Sequence, residues 1–110
     1  MNDDISLSKL FKTKESTIHG MGLFAKKEIK KGEYMGSYHG PMAKRNGMHV
    51  LWVEDDNGEW IGCNGKNLLR YINHHKSPCS EFEGLKLYAT RKILKGEEIF
   101  IDYGDESGLD

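Results

Sequence analysis

Two cysteines, two prolines and no long apolar run mark this 110-residue chain. Two cysteines neither build a disulfide framework nor fill a four-ligand zinc site, so no metal is expected. No stretch approaches the ~20 apolar residues that a membrane helix needs. The start, Met1-Asn2-Asp3-Asp4, is acidic where a secretory leader is basic and then greasy. No charge sign dominates either, with 16 Lys+Arg against 17 Asp+Glu. No basic stripe is interleaved with aromatics, which argues against nucleic acid as the direct ligand. The expectation is an intracellular chain with no membrane partner; cytoplasm and nucleus are not distinguished.

What is present is a folded domain. Four Phe, five Tyr and two Trp argue against disorder. At this length the chain holds one small domain with its own core. Charge is uneven along it: residues 1–50 carry nine Lys/Arg and five Asp/Glu, and residues 51–110 carry seven and twelve. The acidic second half suits a basic peptide better than a phosphate backbone.

Thirteen glycines signal many turns, and the apolar period is mostly two. His49-Val50-Leu51-Trp52-Val53 and Glu59-Trp60-Ile61-Gly62-Cys63 read as strands. Asn57-Gly58 between them is a hairpin signal, because both residues accept positive φ. Lys86-Leu87-Tyr88-Ala89 and Ile99-Phe100-Ile101 also read as strands. Asn67-Leu68-Leu69-Arg70-Tyr71-Ile72 is a short helix candidate with Asn67 as its cap. One pattern occurs twice: Ala25 to Glu33 and Ala89 to Glu97 share A-x-x-x-I-x-K-G-E. Two strand–turn–strand units of this kind suggest a pseudo-symmetric β core.

Three segments carry candidate chemistry. In His19-Gly20-Met21-Gly22-Leu23-Phe24-Ala25, two glycines flank one residue and let the backbone approach a ligand. The third glycine of a dinucleotide site and the Lys-Ser/Thr of a phosphate loop are missing. Arg70-Tyr71-Ile72-Asn73-His74-His75 offers mixed donors and acceptors after an apolar stretch. Glu97-Glu98-Ile99-Phe100-Ile101-Asp102-Tyr103-Gly104 ends a strand in a tyrosine able to turn its hydroxyl into a pocket.

In this order the segments resemble the SET domain, the S-adenosylmethionine-dependent protein-lysine methyltransferase module. The family's glycine motif is matched at Gly20-Met21-Gly22, and its tyrosine-glycine strand at Ser37-Tyr38-His39-Gly40. Its Arg-Phe-Ile-Asn-His-Ser signature is matched at Arg70 to His75. Its closing signature, Gly-Glu-Glu-Leu-x-(Tyr/Phe)-Asp-Tyr-Gly, is matched at Gly96 to Gly104. The resemblance is to minimal viral and bacterial members. It implies a mainly β, β-clip-like fold of several small twisted sheets with a C-terminal pseudoknot and one or two short helices. Residues 1–15 then form an N-terminal arm, 16–105 the SET domain and 106–110 a C-terminal tail.

The resemblance also implies site residues. Tyr103 and Tyr38 are the expected catalytic pair. Gly20, Met21, Gly22, Arg70, Tyr71, Asn73, His74 and Tyr103 are expected to bind S-adenosylmethionine. Tyr38, Ile101, Tyr103 and Trp52 are expected to line the substrate-lysine channel. The partner is a protein or peptide with a target lysine, such as a histone tail. Ile101 stands where the family has Tyr or Phe, which leaves room for more than one methyl group. His75 and Cys79 also depart from the pattern. With these departures, the alternative is a SET-like module that binds cofactor or peptide without efficient turnover. No cysteine triplet follows Tyr103, so post-SET zinc is not expected, and a second copy in a homodimer is one source of the missing channel wall.

Overall fold

Gly32 and Gly96 occupy equivalent places in the two copies of the repeated pattern, and both adopt left-handed backbone, at φ +83° and +89°. That region is open to glycine at little cost, so each Lys-Gly pair turns the chain tightly. The two turns frame the fold in the computed structural model, which describes residues 4–18, 20–47 and 49–102. A short helix α1 (Asp4–Leu7) precedes β1 (Phe11–Glu15), β2 (Met21–Ala25), β3 (Tyr34–Ser37) and β4 (Met42–Ala43). Strands β5 (Val50–Glu54) and β6 (Trp60–Asn64) lead to a 3₁₀ turn (Leu68–Tyr71). After it come β7 (Asn73–His74), β8 (Ser80–Glu83), β9 (Lys86–Ala89) and β10 (Phe100–Ile101).

The strands make four small sheets: β1 with β2, β7 with β10, β3-β9-β8 and β4-β6-β5. Together with the two short helical pieces they form the expected mainly β architecture. Leu7, Leu23, Ile29, Met35, Leu69, Leu87, Ile93 and Ile99 are fully buried in one shared core. Each such side chain contributes on the order of 1.5–3 kcal/mol on burial, so the sheets hold together through their common interior.

Leu7, Leu10 and Phe11 lie in the core, and β1 pairs along its whole length with β2, from Phe11↔Ala25 to Glu15↔Met21, so the segment from Leu7 to Glu15 packs with the rest of the fold. The hairpin expected at Asn57-Gly58 forms between β5 and β6, with only Gly58 of the two at positive φ, +80°. Asp55 N–H donates to Glu59 O at 2.8 Å and closes a three-residue loop over Asp56, Asn57 and Gly58. Gly58 N–H donates to Asp55 O, and Asp55 Oδ1 accepts from the N–H groups of Asn57 and Glu59. Asn67 precedes the 3₁₀ turn but makes no side-chain cap; its carboxamide instead donates to Ser37 O at 2.8 Å, tying the turn to β3. The 106–110 tail lies outside the described residues.

The C-terminal segment decides where the site is. Ala25 N–H donates to Glu97 O (2.9 Å) and Ile99 N–H to Leu23 O (2.7 Å), which lays residues 97–99 along β2. The next two residues pair in parallel with β7, Phe100↔Asn73 and Ile101↔His74. Ser80 Oγ–H donates to Phe100 O at 2.8 Å, holding the crossing from β8. The last strand is thereby inserted between two earlier segments, β2 and β7.

Candidate functional site

The glycine segment enters β2 through a closed loop, in which Ser16 N–H donates to Gly20 O at 2.7 Å. Among the described residues nothing comes within 4 Å of where a Cβ on Gly20 would stand, and Met21 is 46% exposed. Gly22 is the opposite case. A Cβ there would sit 2.4 Å from Glu98 Oε2 and 3.2 Å from Ser16 Cβ. Glycine at 22 is what lets the Glu98 carboxylate reach the β2 backbone.

Asn73 joins the three motifs. Its carboxamide nitrogen donates to Met21 O at 3.2 Å and to Glu98 Oε2 at 3.0 Å. Ser16 Oγ lies 2.9 Å from each Glu98 oxygen and donates to that carboxylate. The glycine segment, the Asn73-His74 strand and the closing segment therefore meet at one carboxylate. Sequence reasoning assigned nothing to Ser16 or Glu98. Glu98 stood within the quoted closing motif, but its partners at 16, 22 and 73 are apparent only once the strands pair. His74, beside Asn73, places Nδ1 3.7 Å from Asp102 Oδ1 on an exposed edge.

A second group forms around His49. Tyr38 is buried; its hydroxyl donates to His49 O, and its ring meets Phe82 edge-on at 5.6 Å. A Cβ on Gly65 would stand 2.2 Å from Tyr38 Cζ, so the ring fits only because residue 65 lacks a side chain. The His49 ring lies edge-on to Tyr71 at 6.5 Å. Arg70 lies over Tyr71 and donates to its hydroxyl at 2.8 Å, and to Lys66 O and Asn67 O at 2.6 and 2.8 Å. Its guanidinium thus satisfies carbonyls at the start of the 3₁₀ turn and braces Tyr71.

Ile101 is buried on β10, in register with His74. Trp52 stands on the β4-β6-β5 sheet, packed over Gly62 with Nε1–H donating to Asn46 Oδ1 at 3.2 Å. Tyr103, expected in the catalytic, cofactor and channel sets, lies outside the described residues, as does His19.

Cys79, one of the departures from the family pattern, is fully buried behind the closing strand. Its thiol lies 3.7 Å from Glu98 O and 4.0 Å from Phe100 O. Burial pushes its pKa up, as it does for Cys63, which points to Gly40 O. Both thiols are uncharged packing groups with weak S–H donors, not nucleophiles.

A family model described as the SET domain matches residues 20–104. The chain is 29% identical over 126 residues to histone-lysine N-methyltransferase set-1 of Caenorhabditis elegans, covering 90% of this chain and 52% of that protein. It is 30% identical over 116 residues to the H3 lysine-36 specific histone-lysine N-methyltransferase of Saccharomyces cerevisiae, covering 86% and 15%. To histone-lysine N-methyltransferase MEDEA of Arabidopsis thaliana it is 28% identical over 109 residues, covering 81% and 16%. The chain thus spans about half the length of the first of these relatives and far less of the other two. In fold it is similar to the methyltransferase domain of human histone-lysine N-methyltransferase SETMAR, with a TM-score of 0.73 at 20% identity, over 84% of this chain and 44% of that one.

Proposed function

The chain belongs to the SET-domain family, and from that premise we propose that it is an S-adenosylmethionine-dependent protein-lysine N-methyltransferase. The observation that carries this reading is the Asn73 carboxamide, hydrogen-bonded at once to Met21 O of the glycine segment and to Glu98 of the closing segment. Three stretches far apart in sequence come together where the family's motifs require a common site.

The residues present fit the cofactor. Open space over Gly20 and a half-exposed Met21 leave room beside the β2 backbone. Asn73 and His74 flank that room with groups able to donate and accept, as a zwitterionic amino-acid moiety and a purine both demand. In this reading Gly20, Met21, Gly22, Asn73 and His74 hold the cofactor, and Arg70 and Tyr71 brace the adjoining wall. When bound, the cofactor supplies a methyl group activated by its sulfonium sulfur.

The chain's own work is to orient and to dehydrate. The Tyr38–Phe82–Gly65 packing gives a rigid aromatic face. A lysine amine held against such a face loses hydration, which favours the uncharged, nucleophilic form. Holding that amine in line with the methyl group supplies much of the rate. Tyr103 carries the catalytic hydroxyl by its match to the closing motif. Ile101 brings neither ring nor hydroxyl, and the reading therefore includes transfer of more than one methyl group.

The proposed substrate is a basic, histone-like tail. Glu54, Asp56, Glu59, Glu81 and Glu83 are exposed and suit lysine- or arginine-rich flanks. A homodimer is proposed as well, checked by mass under assay conditions. The test of the activity is calorimetric titration with S-adenosylmethionine, followed by labelled-methyl transfer to a histone mixture. Binding and transfer support the reading, binding without transfer favours a module without turnover, and neither overturns it.

A further inference from the structure

The repeated pattern puts lysines on its turns, and the fold sets the two turns side by side. Ile29 and Ile93 exchange backbone hydrogen bonds at 2.8 Å, and both side chains are fully buried. Each turn then lies against the start of the other copy. Gly32 N–H donates to Ala89 O and Gly96 N–H to Ala25 O, both at 2.8 Å. Two stretches far apart in sequence thus share one surface.

Around the buried isoleucines that surface is cationic. Residues 26–33 and 90–97 together hold seven Lys/Arg and three Glu, a net +4 in a chain of net charge −1. All seven cationic residues are exposed. The three carboxylates are already engaged. Glu33 and Glu97 accept from the backbone N–H groups of Lys30 and Leu94, Glu97 accepts from Arg91 as well, and Glu28 lies 3.5 Å from Lys92 Nζ. Among the described residues, Lys27, Lys30, Lys31 and Lys95 have no ion-pair partner.

The arrangement also has two-fold character. Lys27 and Arg91 are equivalent positions of the two copies, as are Lys31 and Lys95, and the paired isoleucines stand between them. Nucleic-acid duplexes have local two-fold symmetry, which two-fold protein surfaces match. A protein partner would need an apolar centre to dock on, and Leu94 is the one large apolar side chain exposed in these two stretches. No aromatic residue stands there either, so the contact is to phosphates, which fix position and carry no sequence information.

We propose that the two Lys-Gly turns form a surface that holds the phosphate backbone of duplex DNA without regard to sequence. Lysines that neutralise phosphates release condensed counterions, and that release supplies the affinity. None of these cations belongs to the candidate site, and the surface does not rest on the methyl-transfer reading.

The test is fluorescence anisotropy of a short labelled duplex of mixed sequence, titrated with the full chain over a range of salt. Four lysines without ion pairs predict a slope of log affinity against log salt of about −4. Lys31→Gln and Lys95→Gln are each expected to reduce that slope by about one and to weaken binding roughly eightfold at about 0.1 M salt. The two-fold relation predicts the same loss from both. Lys44→Gln combined with Arg45→Gln removes two exposed charges that follow β4, and affinity should stay within about twofold. Melting points should not move, because all four positions are exposed.

A wild type that fails to bind the duplex overturns the proposal. So does an equal loss in the Lys44 and Arg45 control, which makes binding a matter of net charge alone. Single-stranded DNA of the same length held as tightly as the duplex overturns it too. Poly-glutamate held as tightly does the same, in favour of an acidic protein partner. Whether the chain transfers methyl groups enters none of these readings.

Discussion

Ile29 and Ile93 hydrogen-bond to each other through both backbone groups, each N–H donating to the other's carbonyl at 2.8 Å. They are the same position in the two copies of the repeat. The equivalence extends outward. Gly32 N–H donates to Ala89 O and Gly96 N–H to Ala25 O, both at 2.8 Å. Ala25 N–H donates to Glu97 O and Ala89 N–H to Glu33 O. Within each turn the glutamate after the glycine accepts from the backbone three residues earlier, Lys30 for Glu33 and Leu94 for Glu97. A local two-fold relation runs between the isoleucines, and it carries residues 97–101 into the gap between β2 and β7.

Because both isoleucines are fully buried at that junction, Ile93→Ala is expected to cost about 2–5 kcal/mol. Ile29→Ala should fall in the same range. Urea unfolding would show a lower midpoint with an unchanged slope. A cost below about 1 kcal/mol would remove the junction from the centre of the fold.

Gly65→Ala is expected to destabilise by about 1–3 kcal/mol, the usual range for forcing extra volume into a packed core, because its methyl would overlap the Tyr38 ring. Displacing that ring should also lower turnover on peptide while cofactor affinity changes little. Paired melting and kinetic measurements check both halves.

The Glu97 carboxyl is held below its ordinary value, first by the hydrogen bond from Arg91 and then by Leu94 N–H. A folded-state pKa below the unfolded one contributes stability that is fully present above about pH 4.3 and is lost as pH falls through the folded value. The Arg91–Glu97 pair is substantially exposed, so its worth is within about 1 kcal/mol and shrinks with salt. Glu97→Gln should flatten the acid limb by lowering stability at neutral pH, by no more than about 1 kcal/mol, while stability below the folded pKa stays almost unchanged. An identical acid limb would deny the pair its role.

Ile101→Tyr adds a ring and a hydroxyl at the position argued to govern how many methyl groups fit. Intact-mass analysis of product peptide should show higher methylation states for wild type and a shift toward monomethyl product for the variant. Wild-type product arrested at one methyl group contradicts this.

Much of the architecture was readable from local pattern. The β5–β6 hairpin, β9, β10 and the repeated turns follow from alternation, β-branched residues and Lys-Gly pairs. β1 was not, because Phe11-Lys12-Thr13-Lys14-Glu15 shows one buried apolar residue among polar ones and draws its order from β2. Asn67 was misread because a cap is a local bond, and its carboxamide found Ser37, thirty residues away. Motif order brought Gly20–Gly22, Asn73 and the closing segment into one expected site, but the part played by Glu98 depends on the convergence of residues 16, 22 and 73. No single stretch of sequence encodes that.

The most direct measurement is transfer of an isotopically labelled methyl group from S-adenosylmethionine to a lysine-bearing basic peptide, read by mass spectrometry on the modified residue, with Tyr103→Phe run beside wild type. The account predicts label on the lysine nitrogen with wild type, and strongly reduced label with Tyr103→Phe at nearly unchanged cofactor affinity. Equal labelling by the two proteins, or none by a wild type that binds the cofactor, would contradict it.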